Sequence, residues 1–197
     1  MKNRVRAFWA VAVSPDVRTQ VTALIRQFQG CIEGTKWVEP QNLHVTLQFL
    51  GDVAVTELPR LTETAERALT GVEMFELEFH GCGAFPNSKS PKTLWVGCRD
   101  GAEQLVHLAA TVESAVAALG YLKENRRFSP HLTIGRVKRN DLMTGRNPAD
   151  IIARYQAQSF GSCPVDALCL YASELTRQGP IYTKMASLPL SHHKPCS

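Results

Sequence analysis

Residues 42–50 read NLHVTLQFL and residues 131–138 read HLTIGRVK. Both stretches are rich in β-branched and apolar residues, and Gly51 and Asp52 close the first, so each is predicted to be a strand. They share one pattern, His, apolar, Thr, apolar, at His44-Val45-Thr46-Leu47 and His131-Leu132-Thr133-Ile134. One copy lies in each half of the chain, and each has a proline upstream, Pro40 and Pro130. The echo suggests two related lobes about a pseudo-two-fold axis, in a chain too short for a tandem solenoid. Successive side chains of a strand point to opposite faces, so His44 and Thr46 share one face while Val45 and Leu47 take the other. The same parity joins His131 to Thr133. With the two strands side by side across the axis, two imidazoles and two hydroxyls converge on one cleft.

The flanking sequence supplies the rest of the frame. Arg6 to Val13 is an apolar run that ends at Ser14-Pro15-Asp16, which provides an N-cap, a proline at the first helical position and a first-turn acid. Val17, Val21, Leu24, Ile25 and Phe28 then line one helical face, and Gly30 is placed to end it. Trp37 to Pro40 reads as an extended lead-in. A second helix is predicted over Thr56–Leu69, and Phe75 to His80 alternates in a period of two, as a strand with one wet face would. Ala84 to Lys92 reads as a loop and Thr93 to Cys98 as a strand. Leu105, Leu108, Ala109, Val112, Val116 and Leu119 mark a third helix that stops at Gly120. Asn147-Pro148-Ala149-Asp150 opens a short fourth helix, and residues 157–161, 165–173 and 180–188 are three more predicted strands. This mixed order predicts an α+β fold with antiparallel sheets.

Composition bounds the function classes. The chain has 197 residues, 44% hydrophobic and 20% charged, which is ordinary globular composition with enough length for a sizeable core. A net charge of +4 tilts mildly toward anionic partners such as nucleotides or RNA. No apolar stretch approaches the roughly 20 residues of a membrane-spanning helix. The basic start is followed by a short apolar run, Ala7 to Val13, without a small-residue cleavage site, so a secretory signal is not expected and a cytoplasmic location is. Six scattered cysteines show neither a C-x-x-C pair nor metal-ligand spacing and read as reduced packing residues. No metal site and no cofactor are expected.

The paired tetrapeptides carry chemistry. An imidazole titrates near pH 6.5 when unperturbed, so one copy can act as base while another acts as acid near neutrality. A threonine hydroxyl on a stiff β-branched side chain can donate to a non-bridging phosphate oxygen. Opposed histidines suit in-line displacement at phosphorus, with water entering on one side and an oxygen leaving on the other, without a metal.

The two His-x-Thr-x strands resemble the 2H phosphoesterase superfamily. The flanks narrow the resemblance: residues 37–51 (WVEPQNLHVTLQFLG), Phe85-Pro86 followed by Leu94 to Gly97, residues 127–136 (RFSPHLTIGR), and Leu170 to Ser173 with Gly179 to Tyr182. Over roughly residues 4 to 190 the chain is similar to the bacterial and archaeal RNA 2′,3′-cyclic phosphodiesterases, historically named 2′-5′ RNA ligases. That resemblance implies a duplicated bilobal fold, two mainly antiparallel sheets forming a central cleft with helices outside, in a single domain over residues 1–190 and a flexible tail over 191–197. It implies hydrolysis of RNA 2′,3′-cyclic phosphate ends, or of cyclic nucleotides, to 2′-phosphomonoesters, with weak reverse ligation. His44 would protonate the departing O3′ and His131 would activate water, the opposite assignment staying open. Thr46 and Thr133 would hold the phosphate and Arg136 would bind the anion. At odd parity to His131, Arg136 would face away on a regular strand, so a bulge near Gly135 is required. Phe49, Trp37 and Phe128 are candidate stacking surfaces for a nucleobase.

Other residues have plainer readings. His80 and His107 read as structural, His192-His193 as part of a loose tail, and Trp9 and Trp95 as core packing. Arg126 and Arg127 fall in a solvated loop able to touch RNA. Two further functional classes stand beside the enzyme: a non-catalytic RNA-binding module, from the net charge and aromatics, and a metallohydrolase, for which neither histidine has a carboxylate or third histidine at ligand spacing. A monomer is the default expectation.

Overall fold

Ser14 caps the first helix as the sequence predicts, its Oγ accepting from the Val17 N–H at 3.3 Å with Pro15 in the first turn. Asn147 does the same for the short fourth helix, accepting from the Ala149 N–H at 3.1 Å. The computed structural model describes residues 3–121, 127–138, 147–177 and 179–192. In chain order they form β1 (Arg4–Ala12), α1 (Pro15–Gln29), β2 (Thr35–Trp37), β3 (His44–Ala54), α2 (Leu58–Ala68), β4 (Phe75–Phe85), β5 (Thr93–Cys98), α3 (Ala102–Ala117), β6 (His131–Val137), α4 (Pro148–Ala153), β7 (Ser159–Val165), β8 (Ala167–Leu175) and β9 (Pro180–Pro189). Arg126 lies outside the described residues, as do His193 and the rest of the tail to residue 197. Ser191, where the tail was expected to begin, is hydrogen-bonded through its backbone to Val72 and Met74.

Two sheets result, in the orders β3-β1-β8-β9 and β2-β6-β5-β4-β7, with antiparallel pairing throughout. This is the expected α+β architecture. The histidine strands carry equivalent surroundings, for β1-α1-β3 and β5-α3-β6 are each a strand, a helix and a returning neighbour that opens on its histidine. The lobes are not consecutive halves of the chain, because the first sheet is completed by the C-terminal hairpin β8-β9. β3 and β6 pack against each other where the sheets meet. The helices cover the other faces, α1 against β2, β6 and β7, and α2 against α3. One apolar core joins them, with Trp9, Phe28, Phe79 and Leu132 fully buried, as the helical stripes require.

A short strand, β2, runs into the expected extended lead-in and pairs along β6. Two local expectations need correction. β4 continues to Phe85, so part of the predicted loop is strand. The wet face expected for residues 75–80 is not wet at Glu78, which is 7% exposed. β4 is flanked by β5 and β7, and Arg99 and Ser159 close over the Glu78 carboxylate at 2.6 and 2.8 Å. The cysteines behave as packing residues: five described ones are free thiols, and burial pushes Cys82 and Cys98 up to about 12.

Candidate active site

The two histidines are the first residues of β3 and β6, half-buried, and held alike. His44 Nδ1 lies 2.7 Å from the Asn42 carbonyl, and His131 Nδ1 lies 2.7 Å from the Ser129 carbonyl. A carbonyl only accepts, so Nδ1 carries the hydrogen in both rings and Nε2 of the neutral ring keeps its lone pair. At His44 that lone pair accepts from the Thr46 hydroxyl at 2.9 Å. The neighbouring strand leaves room for each ring, offering only Ala12 opposite His44 and Gly97 opposite His131.

Aromatic walls fix the rings further. His44 lies 4.9 Å from Phe8 and meets the edge of Tyr182 at 5.2 Å, with Tyr171 behind at 6.3 Å. His131 stands perpendicular to Phe85 at 5.0 Å and 6.4 Å from Trp95. These surroundings lower both imidazole pKa values: burial is the largest cause in each, the backbone acceptor opposes it, and the Arg136 charge lowers both further. One guanidinium therefore bears on both rings. Tyr182 is raised by burial against the same Arg136 charge and keeps its proton at neutral pH.

The bulge that Arg136 requires is present. Thr133 faces Trp95 and Gly135 faces Leu94, so Ile134 is an extra residue on β6. Beyond it Arg136 faces Thr93, on the same side of the sheet as Thr133 opposite Trp95 and His131 opposite Gly97. β3 slips in the same way: Thr46 faces Ala10, Gln48 faces Trp9, and Phe49 faces Phe8 on the histidine side. Thr46 and Thr133 are both half-buried.

Beside the histidine strands runs a groove of about 780 Å³, lined by Phe49 and Arg136 from the expected set and by Arg6, Lys36, Trp37 and Tyr182 among others. Phe49 is 57% exposed there. Of the other two stacking candidates, Trp37 lines the groove against Phe28, whereas Phe128 packs on the core. Trp95, read as core, instead stands on the histidine face over Gly83. Phe8, Tyr171 and Tyr182, which stand against His44, are not singled out by the sequence pattern. The signal for Phe8 was its parity with Ala10 and Ala12 on a strand pairing with the motif. Among the described residues no group of three or more His, Cys, Asp or Glu is placed to hold a metal ion, and no helix is long and apolar enough to cross a membrane.

Residues 14–177 match the model of the 2′-5′ RNA ligase superfamily. An Archaeoglobus fulgidus protein named RNA 2′,3′-cyclic phosphodiesterase is 40% identical over 179 residues, covering 90% of this chain and 96% of that protein. One of the same name from Aquifex aeolicus is 36% identical over 91% of this chain and 94% of its own length. Among solved structures, a Thermus thermophilus protein superposes with a TM-score of 0.78 at 29% identity, over 94% of this chain and 97% of the other. Escherichia coli LigT complexed with 3′-AMP superposes with a TM-score of 0.75 at 27% identity, over 95% and 99%. With the paired histidines, the shared fold and the match over most of its length, the chain belongs to the 2′-5′ RNA ligase superfamily.

Proposed function

We propose that this chain is an RNA 2′,3′-cyclic phosphodiesterase, hydrolysing the cyclic phosphate at an RNA end, or of a cyclic nucleotide, to a 2′-phosphomonoester with His44 and His131 as acid and base. The observation that carries the reading is the matched pair of imidazoles, each anchored through Nδ1 on a backbone carbonyl and each under the Arg136 charge.

In the forward reaction His131 Nε2 takes a proton from water as its oxygen attacks phosphorus. The bond from phosphorus to O3′ breaks, and protonated His44 gives its Nε2 proton to that oxygen. Thr46, Thr133 and Arg136 hold the non-bridging oxygens, where negative charge builds in the transition state. Phe49 stacks on the terminal base. The burial that lowers both pKa values favours a neutral base, while the single negative charge of the bound cyclic phosphate favours the protonated acid beside it. Joining of RNA ends through a 2′-5′ bond follows the same forward path with a 5′-hydroxyl in place of the attacking water and O3′ again leaving, and is weak. The free thiols of the five described cysteines support a reducing cytoplasm.

The test is hydrolysis of a cyclic-ended oligonucleotide with EDTA present, the product separated as 2′- or 3′-phosphate. Wild type is expected to give the 2′ product, and His44→Ala and His131→Ala each to lose about 10²- to 10⁴-fold. Survival of activity in either variant, or its abolition by EDTA, removes the mechanism.

A further inference from the structure

The groove runs beside the histidines rather than over them: its lining takes in Phe49 and Arg136 but none of His44, Thr46, His131 and Thr133, and it carries further cations. Along the first sheet the histidine face runs from His44 opposite Ala12, through Thr46 opposite Ala10, to Phe49 opposite Phe8, and then to Arg6. Arg6 is two residues beyond Phe8 on β1, so it points to the same face, and it lies about 20 Å of strand from Ala12. Along the second sheet the face runs from His131 through Thr133 to Arg136, and Lys36 of β2 stands directly opposite Arg136 on the adjoining strand. Lys36 Nζ approaches the turn between β8 and β9, where a Cβ built on Gly179 would lie 3.7 Å away. Lys36 thus reaches from one sheet to the other beyond Arg136.

Three cations line the groove against one carboxylate, Glu39. Arg6 and Lys36 are exposed and make no ion pair with any described residue, although Asp52 faces Arg6 across the strands. Phe49 lies between Arg6 and His44 along the first sheet, and Lys36 stands beside Arg136 on the second.

We infer that Arg6 and Lys36 form a subsite for the phosphodiester on the 5′ side of the terminal nucleotide, which makes the chain selective for cyclic-ended oligoribonucleotides over cyclic mononucleotides. The inference rests on the cyclic phosphodiesterase reading and specifies its substrate class. Each phosphate contact on a single strand contributes about 0.7 to the slope of log(kcat/KM) against log[salt] at subsaturating substrate, where that ratio follows binding.

The experiment compares adenosine 2′,3′-cyclic phosphate with adenylyl-adenosine ending in a 2′,3′-cyclic phosphate, between 50 and 200 mM salt, for wild type, Arg6→Met and Lys36→Met. Wild type is expected to favour the dinucleotide at low salt and to lose several-fold of that preference at high salt. The dinucleotide adds one phosphodiester, so each substitution is expected to lower its slope by at most about 0.7 and to leave the mononucleotide rate unchanged, which also reports an intact fold. Equal losses on both substrates, or slopes that do not move, overturn the subsite. If wild type cleaves both substrates with equal kcat/KM and equal salt dependence, the subsite fails while the reaction stands. If wild type cleaves neither, the cyclic phosphodiesterase reading fails and takes the subsite with it.

Discussion

Phe49 and Arg136 occupy matching positions on the two histidine strands, each five residues beyond its histidine and each carried to the groove face by a bulge two residues earlier. The pseudo-symmetry thus relates an aromatic ring to a guanidinium. One wall offers a π-face and the other a charge, so on the proposed function a nucleotide would enter with its base toward the first sheet and its phosphate toward Arg136.

Arg136→Gln is expected to lower kcat/KM by about 10- to 100-fold, the cost of losing charged hydrogen bonds to the phosphate. A pH profile separates this from simple damage. The Arg136 charge disfavours both imidazolium forms, so removing it raises both histidine pKa values. Both limbs of the kcat/KM profile should then move to higher pH. Limbs that stay in place or move to lower pH contradict the shared field.

Phe49→Ala should weaken substrate binding by about 1–3 kcal/mol, the range for one lost base stack, and Phe49→Trp should restore it. Because the ring is 57% exposed, its removal should shift unfolding free energy by less than about 1 kcal/mol. Titration with a 2′-phosphorylated nucleotide product reads the first quantity and denaturant unfolding the second.

Gly83→Ala tests the wall behind His131. An added Cβ would stand 2.2 Å from the Trp95 ring, which cannot remain where it is. Overpacking of this kind costs about 1–3 kcal/mol of stability, and the displaced indole should lower turnover as well. Trp95→Phe in the Gly83→Ala background should recover part of the stability, a coupling measurable by a double-mutant cycle.

Glu78→Gln addresses acid stability. The Ser159 hydrogen bond, foremost, and the Arg99 charge hold the Glu78 carboxyl below its ordinary range, against its burial. Its contribution is present above the unfolded pKa of about 4.3 and is lost as pH falls through the lower folded value. The variant should therefore be less stable than wild type at pH 7, with the gap closing toward pH 3. Thermal unfolding across that range checks it, and a constant gap counts against the assignment.

What could be read from the sequence was what is written locally. The parity of His44 with Thr46 and of His131 with Thr133 follows from strand geometry alone, and the same parity demanded the bulge that exposes Arg136. The aromatic support was not legible, because Phe8, Tyr171 and Tyr182 meet His44 only through pairings between strands distant in sequence. Glu78 was misread because alternation cannot tell a strand with one free face from an interior strand whose second face is closed by Arg99 and Ser159. Three residues of strand make too short a pattern to reveal Lys36. A tryptophan between apolar neighbours looks the same whether it faces helices or a groove, so Trp95 reads as core.

The anchors of the two imidazoles are main-chain atoms, the carbonyls of residues 42 and 129. No exchange of side chain can delete a carbonyl, so tautomer and ring orientation are insulated from drift at those two sites. Substitution there can reach the chemistry only by bending the backbone. The proton-carrying atoms are consequently among the least mutable features of the fold.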